Sequence, residues 1–243
     1  MKLAVQLYSL RHHMENGENF LDILKKVKEL GFDGVEFAGF HGYTPEELKK
    51  TLDELGLVAV GAHMGLHDFK EENLDETIRI GKVLGAATLG IGGADTSTET
   101  ALEEVLSVMG EADKKASEEG INVYFHNHTQ EFSEPLYNTV PGTIFERLAE
   151  SCHLQIDTYW SFHAGKDNYK LISEYKDRIV HLHIKDGLDG HPMALGEGNN
   201  ALDVVVKAAR DNGIEWLILE NDDPVPDGLS DITRSMEWLK ANV

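Results

Sequence analysis

Three stretches in the second half of the chain carry side chains that could do chemistry together. Ile179-Val180-His181-Leu182-His183-Ile184-Lys185-Asp186 alternates apolar and polar residues, the period of a strand with His181, His183 and Lys185 on one face. Burying that face is costly unless the histidines and the lysine are paired or bound. Taken alone, a wet edge strand explains the pattern equally well. Its neighbours in sequence argue for more. Leu154-Gln155-Ile156-Asp157 upstream and Trp216-Leu217-Ile218-Leu219-Glu220 downstream are apolar runs, each ending in a carboxylate. Asp157, His183 and Glu220, at the ends of three successive strands, make a candidate divalent-metal site. Mixed imidazole and carboxylate donors suit Mn²⁺, Zn²⁺, Co²⁺ or Fe²⁺ better than Ca²⁺, which prefers oxygen alone. Such an ion with open positions could bind sugar oxygens and polarise a carbonyl, easing removal of a neighbouring C–H proton. A second carboxylate or a histidine nearby would serve as base.

A site of that kind needs a scaffold that brings strand ends together. Strand-like segments begin near residues 3, 33, 57, 88, 122, 153, 179 and 216, and the spacing is that of a repeated βα unit. Amphipathic helical patterns lie between them. Phe20 to Leu30 places apolar residues at helical spacing and stops at Gly31, the residue favoured just past a helix end. Thr44-Pro45-Glu46-Glu47 opens the next helix with an N-cap threonine and a proline in its first turn, and Leu55-Gly56 closes it. Later helices are expected over 75–84, 99–119, 142–150, 167–176, 201–212 and 230–241. Strict alternation predicts a parallel sheet covered by helices. Eight units fit one closed (β/α)8 TIM barrel over residues 1–243, with its active site at the C-terminal strand ends. A doubly wound open sheet uses the same repeat. Its dinucleotide fingerprint is poorly matched, because Gly90-Ile91-Gly92-Gly93-Ala94-Asp95 has Asp95 in the third glycine position.

In a barrel the polar strand ends converge on one mouth. The first strand ends in Gln6-Leu7-Tyr8-Ser9, the second carries Glu36 and the third ends at His63. The fifth ends His126-Asn127-His128 and turns through Gln130-Glu131, the sixth offers Asp157 and Trp160, the seventh His183 and Lys185, and the eighth Glu220 and Asn221. Singly, His63 or Glu36 is more often a satisfied polar or rim residue, and Tyr124 and Phe125 are packing residues. The ends of the fifth to eighth strands together are harder to explain without a ligand. Tyr8, Glu36, His63 and Trp160 are the candidate substrate contacts, Trp160 as an apolar face for a sugar ring.

Composition narrows the function further. The 243 residues carry 43 acidic and 22 basic side chains, a formal net charge of −21. Nucleic acid is excluded as a partner on that balance, since binding it relies on Lys and Arg displacing counterions. No apolar run approaches a membrane span, and Met1-Lys2-Leu3-Ala4-Val5 runs straight into a strand without a signal-peptide pattern. Cys152 is the single cysteine, so there is no intrachain disulfide framework. A cytoplasmic protein is expected.

Asp157-Thr158 closing the sixth strand, His183-Ile184-Lys185-Asp186 in the seventh and Glu220 in the eighth resemble the xylose isomerase-like TIM barrels. That group includes sugar (phosphate) isomerases and epimerases, inosose dehydratases and endonuclease-IV-like enzymes. The resemblance runs from Gln6-Leu7-Tyr8-Ser9-Leu10 to the final helix. Phe125-His126-Asn127-His128 and Gly196-Glu197-Gly198 point to the sugar phosphate isomerase/epimerase branch. The resemblance implies that Asp157, His183 and Glu220 are metal ligands. Many relatives place a glutamate on the fifth strand, where this chain has His126. Either His126 is the fourth ligand or Glu131 swings back from the turn. Loss of that glutamate weakens the two-glutamate acid/base scheme of ketose epimerases, and Glu131, His128, Lys185 and Glu197 are the candidates to replace it.

The expected function is therefore a metal-dependent isomerase or epimerase of a small sugar, keto-sugar or sugar phosphate. A lyase using the same enolising chemistry, as in inosose dehydration or 3-oxo-glycoside cleavage, is the alternative, and a non-catalytic sugar-binding barrel a third. No Gly-rich phosphate loop is present and the later loops have few arginines, which speaks against an obligatory phosphate on the substrate. A homo-oligomer is compatible with the resemblance.

Overall fold

The computed structural model describes residues 1–15, 17–133, 140 and 142–243. Eight parallel strands close into a barrel: β1 (Lys2–Gln6), β2 (Gly34–Ala38), β3 (Val58–Met64), β4 (Thr88–Ile91), β5 (Asn122–His126), β6 (His153–Asp157), β7 (Ile179–Ile184) and β10 (Trp216–Leu219). Between the last two, β8 (Asp186–Leu188) and β9 (His191–Met193) form a separate antiparallel hairpin. Pairing of β1 with both β2 and β10 closes the ring and rules out the open-sheet alternative. The architecture is a single-domain (β/α)8 barrel.

Local chemistry fixes the helices that wrap it. Asn19 accepts from Leu21 N and Asp22 N to open the helix Phe20–Leu30, and Gly31 ends it at φ 101°, a backbone region glycine enters without steric cost. Thr44 and Glu47 form a reciprocal capping box for the helix Pro45–Leu55. The helix expected over 75–84 starts earlier, at Glu71. Its first turn is tied to a 3₁₀ turn over Leu66–Phe69, where Asn73 Nδ2 donates to His67 O at 2.8 Å, and Thr77 Oγ1 donates to Asp68 O at 2.7 Å. That capture of a helix start by tertiary contact has no signal in the apolar periodicity.

The core is divided by the sheet. Outward-facing residues such as Leu154, Ile156, Leu182 and Ile184 pack under the helices in one continuous apolar cluster. Inside the barrel, apolar packing is confined to a small plug of Ala4, Val60 and Ile218 with Trp216 against it. Above the plug the interior is polar: Gln6, Glu36, Tyr124, Gln155, His181 and His183 are all fully or almost fully buried. Such a layer is tolerated only because every member finds hydrogen-bond partners. Two register shifts, between Val35 and Glu36 on β2 and between Leu154 and Gln155 on β6, sit beside it. Bulges of this kind re-aim side chains near active sites.

The glycine-rich stretch at the end of β4 has a packing cause. A Cβ on Gly90 would come within 2.3 Å of Tyr124 O and 2.4 Å of the Tyr124 ring, so only glycine lets that ring lie in the barrel interior. Among the described residues no helix is long and apolar enough to cross a membrane.

Candidate active site

The barrel mouth opens into a cavity of about 530 Å³ lined by Tyr8, His63, Met64, His126, His128, Trp160, Glu220 and Asp222, among others. Beneath it, ligand atoms of His126, Asp157, His183 and Glu220 all lie within 4.8 Å of one another. These are the ends of four consecutive barrel strands. Of the two alternatives for the fifth-strand ligand, the fold brings His126 into this group.

Each member is held by its element. Asp157 closes β6 and caps the helix Thr158–His163, its Oδ1 accepting from Tyr159 N and Trp160 N at 2.9 Å each. Its Oδ2 is fully buried, 2.8 Å from Lys185 Nζ but out of hydrogen-bond alignment, and 3.8 Å from His126 Nε2. Lys185 already balances the charge on that oxygen, and what points to an ion is the convergence of ligand atoms from four residues within 4.8 Å of one another. Two imidazoles and two carboxylates also match the donor set of a first-row divalent ion. The residues fit the group.

His183 Nδ1 lies 2.9 Å from Glu220 Oε2, and its Nε2 lies 2.6 Å from Glu36 Oε2. Burial alone would lower its pKa, but the Glu220 and Glu36 carboxylates outweigh burial and raise it to about 10, so as a ligand His183 would release its Nδ1 proton while Nε2–H stays on Glu36. His126 goes the other way, since burial and the nearby His183 push it well below the usual imidazole value. It is therefore neutral, the state in which an imidazole binds a metal.

Lys185 is fully buried, with Nζ 2.7 Å from Glu220 Oε2 and 2.8 Å from both Asp157 Oδ2 and Asp222 Oδ2. Burial opposes its charge, yet Asp157, Glu220 and Asp222 hold its pKa well above the ordinary value. It is a fixed cation rather than a proton carrier. His128 lines the cavity; burial and the Lys185 charge lower its pKa, and its Nδ1 has no partner. Trp160 lies beside it, ring centroids 6.2 Å apart, with its indole Nε1 buried and unpartnered.

Among the expected site residues, Glu36, Glu131 and Glu197 neither line the cavity nor belong to the cluster of His126, Asp157, His183 and Glu220 beneath it. Glu36 is fully buried below the floor, where its carboxylate accepts from Gln6 Nε2 at 2.7 Å, Tyr124 Oη at 2.5 Å and Gln155 Nε2 at 2.6 Å, besides its contact with His183. Its acceptor capacity is used up, so it supports His183 in place of touching a substrate. Glu131 is buried, and its Oε2 accepts from His128 N at 2.7 Å; it shapes the turn after β5. Glu197 turns outward and pairs with Arg234 at 2.7 Å.

The segment around Glu197 has another role. Asp186, at the start of β8, accepts from Gly187 N and Asn200 N on Oδ1 and from Gly196 N and Gly198 N on Oδ2, all at 2.8–3.0 Å. One buried carboxylate thus gathers the loop that follows Lys185. Hydrogen bonds to charged groups contribute about 1.5–3 kcal/mol each, so Asp186→Ala should lower unfolding stability in urea by about 3 kcal/mol or more. A loss below ~1 kcal/mol would show that the loop is held by other contacts. Gly198 has no room for a Cβ, which would meet Asp186 Oδ1 at 2.3 Å.

Asp222 and Gln155 belong to the site and were not expected there. Both had a signal: each lies two residues from a candidate ligand, on the same face of a strand or its extension.

A model of the xylose isomerase-like TIM barrel matches residues 24–242. The chain belongs to that family. No curated protein matches it. Among solved structures, a sugar phosphate isomerase/epimerase from Parabacteroides distasonis is similar at 20% identity with a TM-score of 0.80, covering 99% of this chain and 93% of its own. The probable 3-DHS dehydratase AsbF of Bacillus anthracis, involved in petrobactin synthesis, is similar at 16% identity and a TM-score of 0.77, with 99% of each chain covered. The 3-keto-D-glucoside 4-epimerase of E. coli is similar at 20% identity and a TM-score of 0.68, again over 99% of each chain. These likenesses are of fold, to solved structures described as isomerising enzymes and as a probable dehydrating one.

Proposed function

We propose that this protein is an isomerase or epimerase of a small unphosphorylated sugar or keto-sugar, working by enolisation at a divalent-metal site. The observation that carries the proposal is the convergence of His126, Asp157, His183 and Glu220 on one point under the cavity. A divalent ion held by these four would polarise a substrate carbonyl and lower the barrier to removing the adjacent C–H proton. The chain's own side chains do the rest. His128, with an unpartnered Nδ1 at the cavity wall, receives the proton. Asp222, in the bend that follows β10, lines the same cavity as a second group able to handle a proton. Trp160 supplies the ring face, and Lys185 keeps the surrounding carboxylates ionised.

The substrate class follows from charge. The cavity wall carries Glu220 and Asp222 and no Lys or Arg among the described residues, and the eight residues outside the description contain neither. Lys185 is committed to three carboxylates. Arg11, at the rim, donates to Tyr8 O and Asp222 O. A phosphate dianion would meet net negative charge with no free cation to receive it.

The test is incubation with unphosphorylated keto-sugars and 3-keto-glycosides in D₂O. An isomeric product carrying one deuterium in place of the abstracted hydrogen supports the proposal. A product lighter by one water would assign the site to the dehydrating branch, which uses the same enolate. Absence of exchange with every metal and sugar tried would remove the proposal.

Asp231 offers an independent check on how the site's floor is held. It is fully buried, accepts from Asn221 Nδ2 at 2.9 Å, and its Oδ1 has no partner. Burial pushes its pKa from 3.8 up to about 6. The folded-state value lies above the unfolded one, so this group favours folding most at low pH and that contribution is lost as pH rises through about 6. The difference corresponds to ~3 kcal/mol at most. Asp231→Asn should therefore stabilise the protein at pH 8 and lose that advantage below about pH 4. Thermal melts across that range will read it, and equal gains at both ends would refute the assignment.

A further inference from the structure

We infer that Gln155 is a positioning residue that fixes His126 in its Nδ1–H tautomer and so keeps the Nε2 lone pair free for a metal. The inference rests on His126 being a ligand in the proposed site. Gln155 is fully buried at the centre of the barrel's polar layer. Its Nε2 lies 2.6 Å from Glu36 Oε1 and its Oε1 lies 2.8 Å from both His126 Nδ1 and His63 Nε2.

The orientation of the amide is dictated by Glu36. That carboxylate already accepts from Gln6 Nε2, whose own Oε1 is occupied by Tyr8 N, and from the Tyr124 hydroxyl. An ionised carboxylate only accepts, so the amide atom facing it must be the NH₂. The other atom is then a carbonyl, and both imidazole nitrogens that touch it must donate. His126 carries its proton on Nδ1, and its Nε2, facing Asp157 Oδ2 at 3.8 Å, is the free one.

A second chain of contacts closes on the same answer. The NH₂ also faces His181 Nδ1 at 2.9 Å, making that nitrogen an acceptor and placing the His181 proton on Nε2. His181 Nε2 lies 3.0 Å from Thr88 Oγ1, which accepts because its own proton goes to Val60 O at 2.7 Å. Donors and acceptors match at every link. One amide on β6 therefore sets three imidazoles, His126 on β5 among them.

Two-bond ¹H–¹⁵N correlation spectra of the ¹⁵N-histidine-labelled full chain, stripped of metal, read the tautomer directly. His126 is assigned by its loss in His126→Gln. Wild type is expected to show His126 as Nδ1–H. In Gln155→Met the signal should move toward Nε2–H and zinc affinity should fall 10- to 100-fold. Gln155→Glu, whose carboxyl must carry a proton to face Glu36, keeps its carbonyl toward His126 and should restore the Nδ1–H pattern. His153, whose Nδ1 is held by Asp113 at 2.8 Å, should not change in any variant and reports an intact fold. An Nε2–H tautomer in the wild type would overturn the inference without recourse to any variant, as would zinc affinity within twofold of wild type in folded Gln155→Met. The expected tautomer with no zinc uptake would leave Gln155 in its role and remove the metal from the proposed function.

Discussion

A protein carrying both Asp157→Ala and His183→Ala is expected to bind no divalent metal and to lose at least about a thousandfold in sugar turnover. Wild type should hold about one equivalent of Mn, Zn, Co or Fe after reconstitution, as a four-ligand mononuclear centre does. The expected loss follows from two contributions. A polarising ion supplies several kcal/mol of transition-state stabilisation, and each 1.36 kcal/mol is tenfold in rate. Removing half of the set that converges within 4.8 Å leaves too few donors to hold an ion against water. Elemental analysis of the two proteins, paired with deuterium exchange into a keto-sugar, reads both effects. Equal metal content in wild type and variant would mean that the ion sits elsewhere.

The second large effect is on folding. Among the described ion pairs, Lys185 is the one cation that reaches Asp157, Glu220 and Asp222 together, while His183 meets Glu220 alone of the three. Taking it away leaves three carboxylates crowded in a low-dielectric floor. Breaking a buried pair by deleting one partner costs about 3–5 kcal/mol, so metal-free Lys185→Met should unfold at correspondingly lower urea. A divalent ion would neutralise the same carboxylates. Adding it at about 100 times its dissociation constant returns ~2.7 kcal/mol by mass action. Metal should accordingly stabilise the variant more than it stabilises wild type, in which Lys185 already balances the charge. If the variant is as stable as wild type without metal, the carboxylates must be protonated or solvated, and the charge assignment at the floor fails.

Much of this was legible in the amino-acid sequence. The eight strand starts and the caps at Thr44, Gly31 and Gly56 are written in local patterns, because period and capping chemistry act over a few residues. Asp157 and Glu220 could be picked out because each ends an apolar run, and His183 because it lies on the polar face of an alternating strand, where a buried polar group needs a reason. Glu36 and Glu197 were misplaced for the opposite cause. Whether a strand-end carboxylate faces the cavity or the layer beneath it depends on register, and the shift between Val35 and Glu36 is not encoded in hydropathy. Glu197 follows Gly196 in a loop whose backbone, not its side chains, turns inward to Asp186. Gln155 shows the same limit from another side. Its neighbours are distant in sequence, on β2, β3, β5 and β7, and meet only when the ring closes.

The sheet that separates an apolar outer layer from a polar inner one also separates two kinds of mutational sensitivity. On β6, Leu154 and Ile156 face the helices while Gln155 and Asp157 face the barrel axis, and on β7 Leu182 and Ile184 alternate in the same way with His181 and His183. Truncating an outer residue opens a cavity and costs folding energy. Changing an inner one rewires protons and charge. Deep mutational scanning scored in parallel for abundance and turnover should therefore give profiles along these strands that alternate out of phase. Directed evolution toward a new sugar has room to rewrite the inner set while the outer set carries the stability of the barrel.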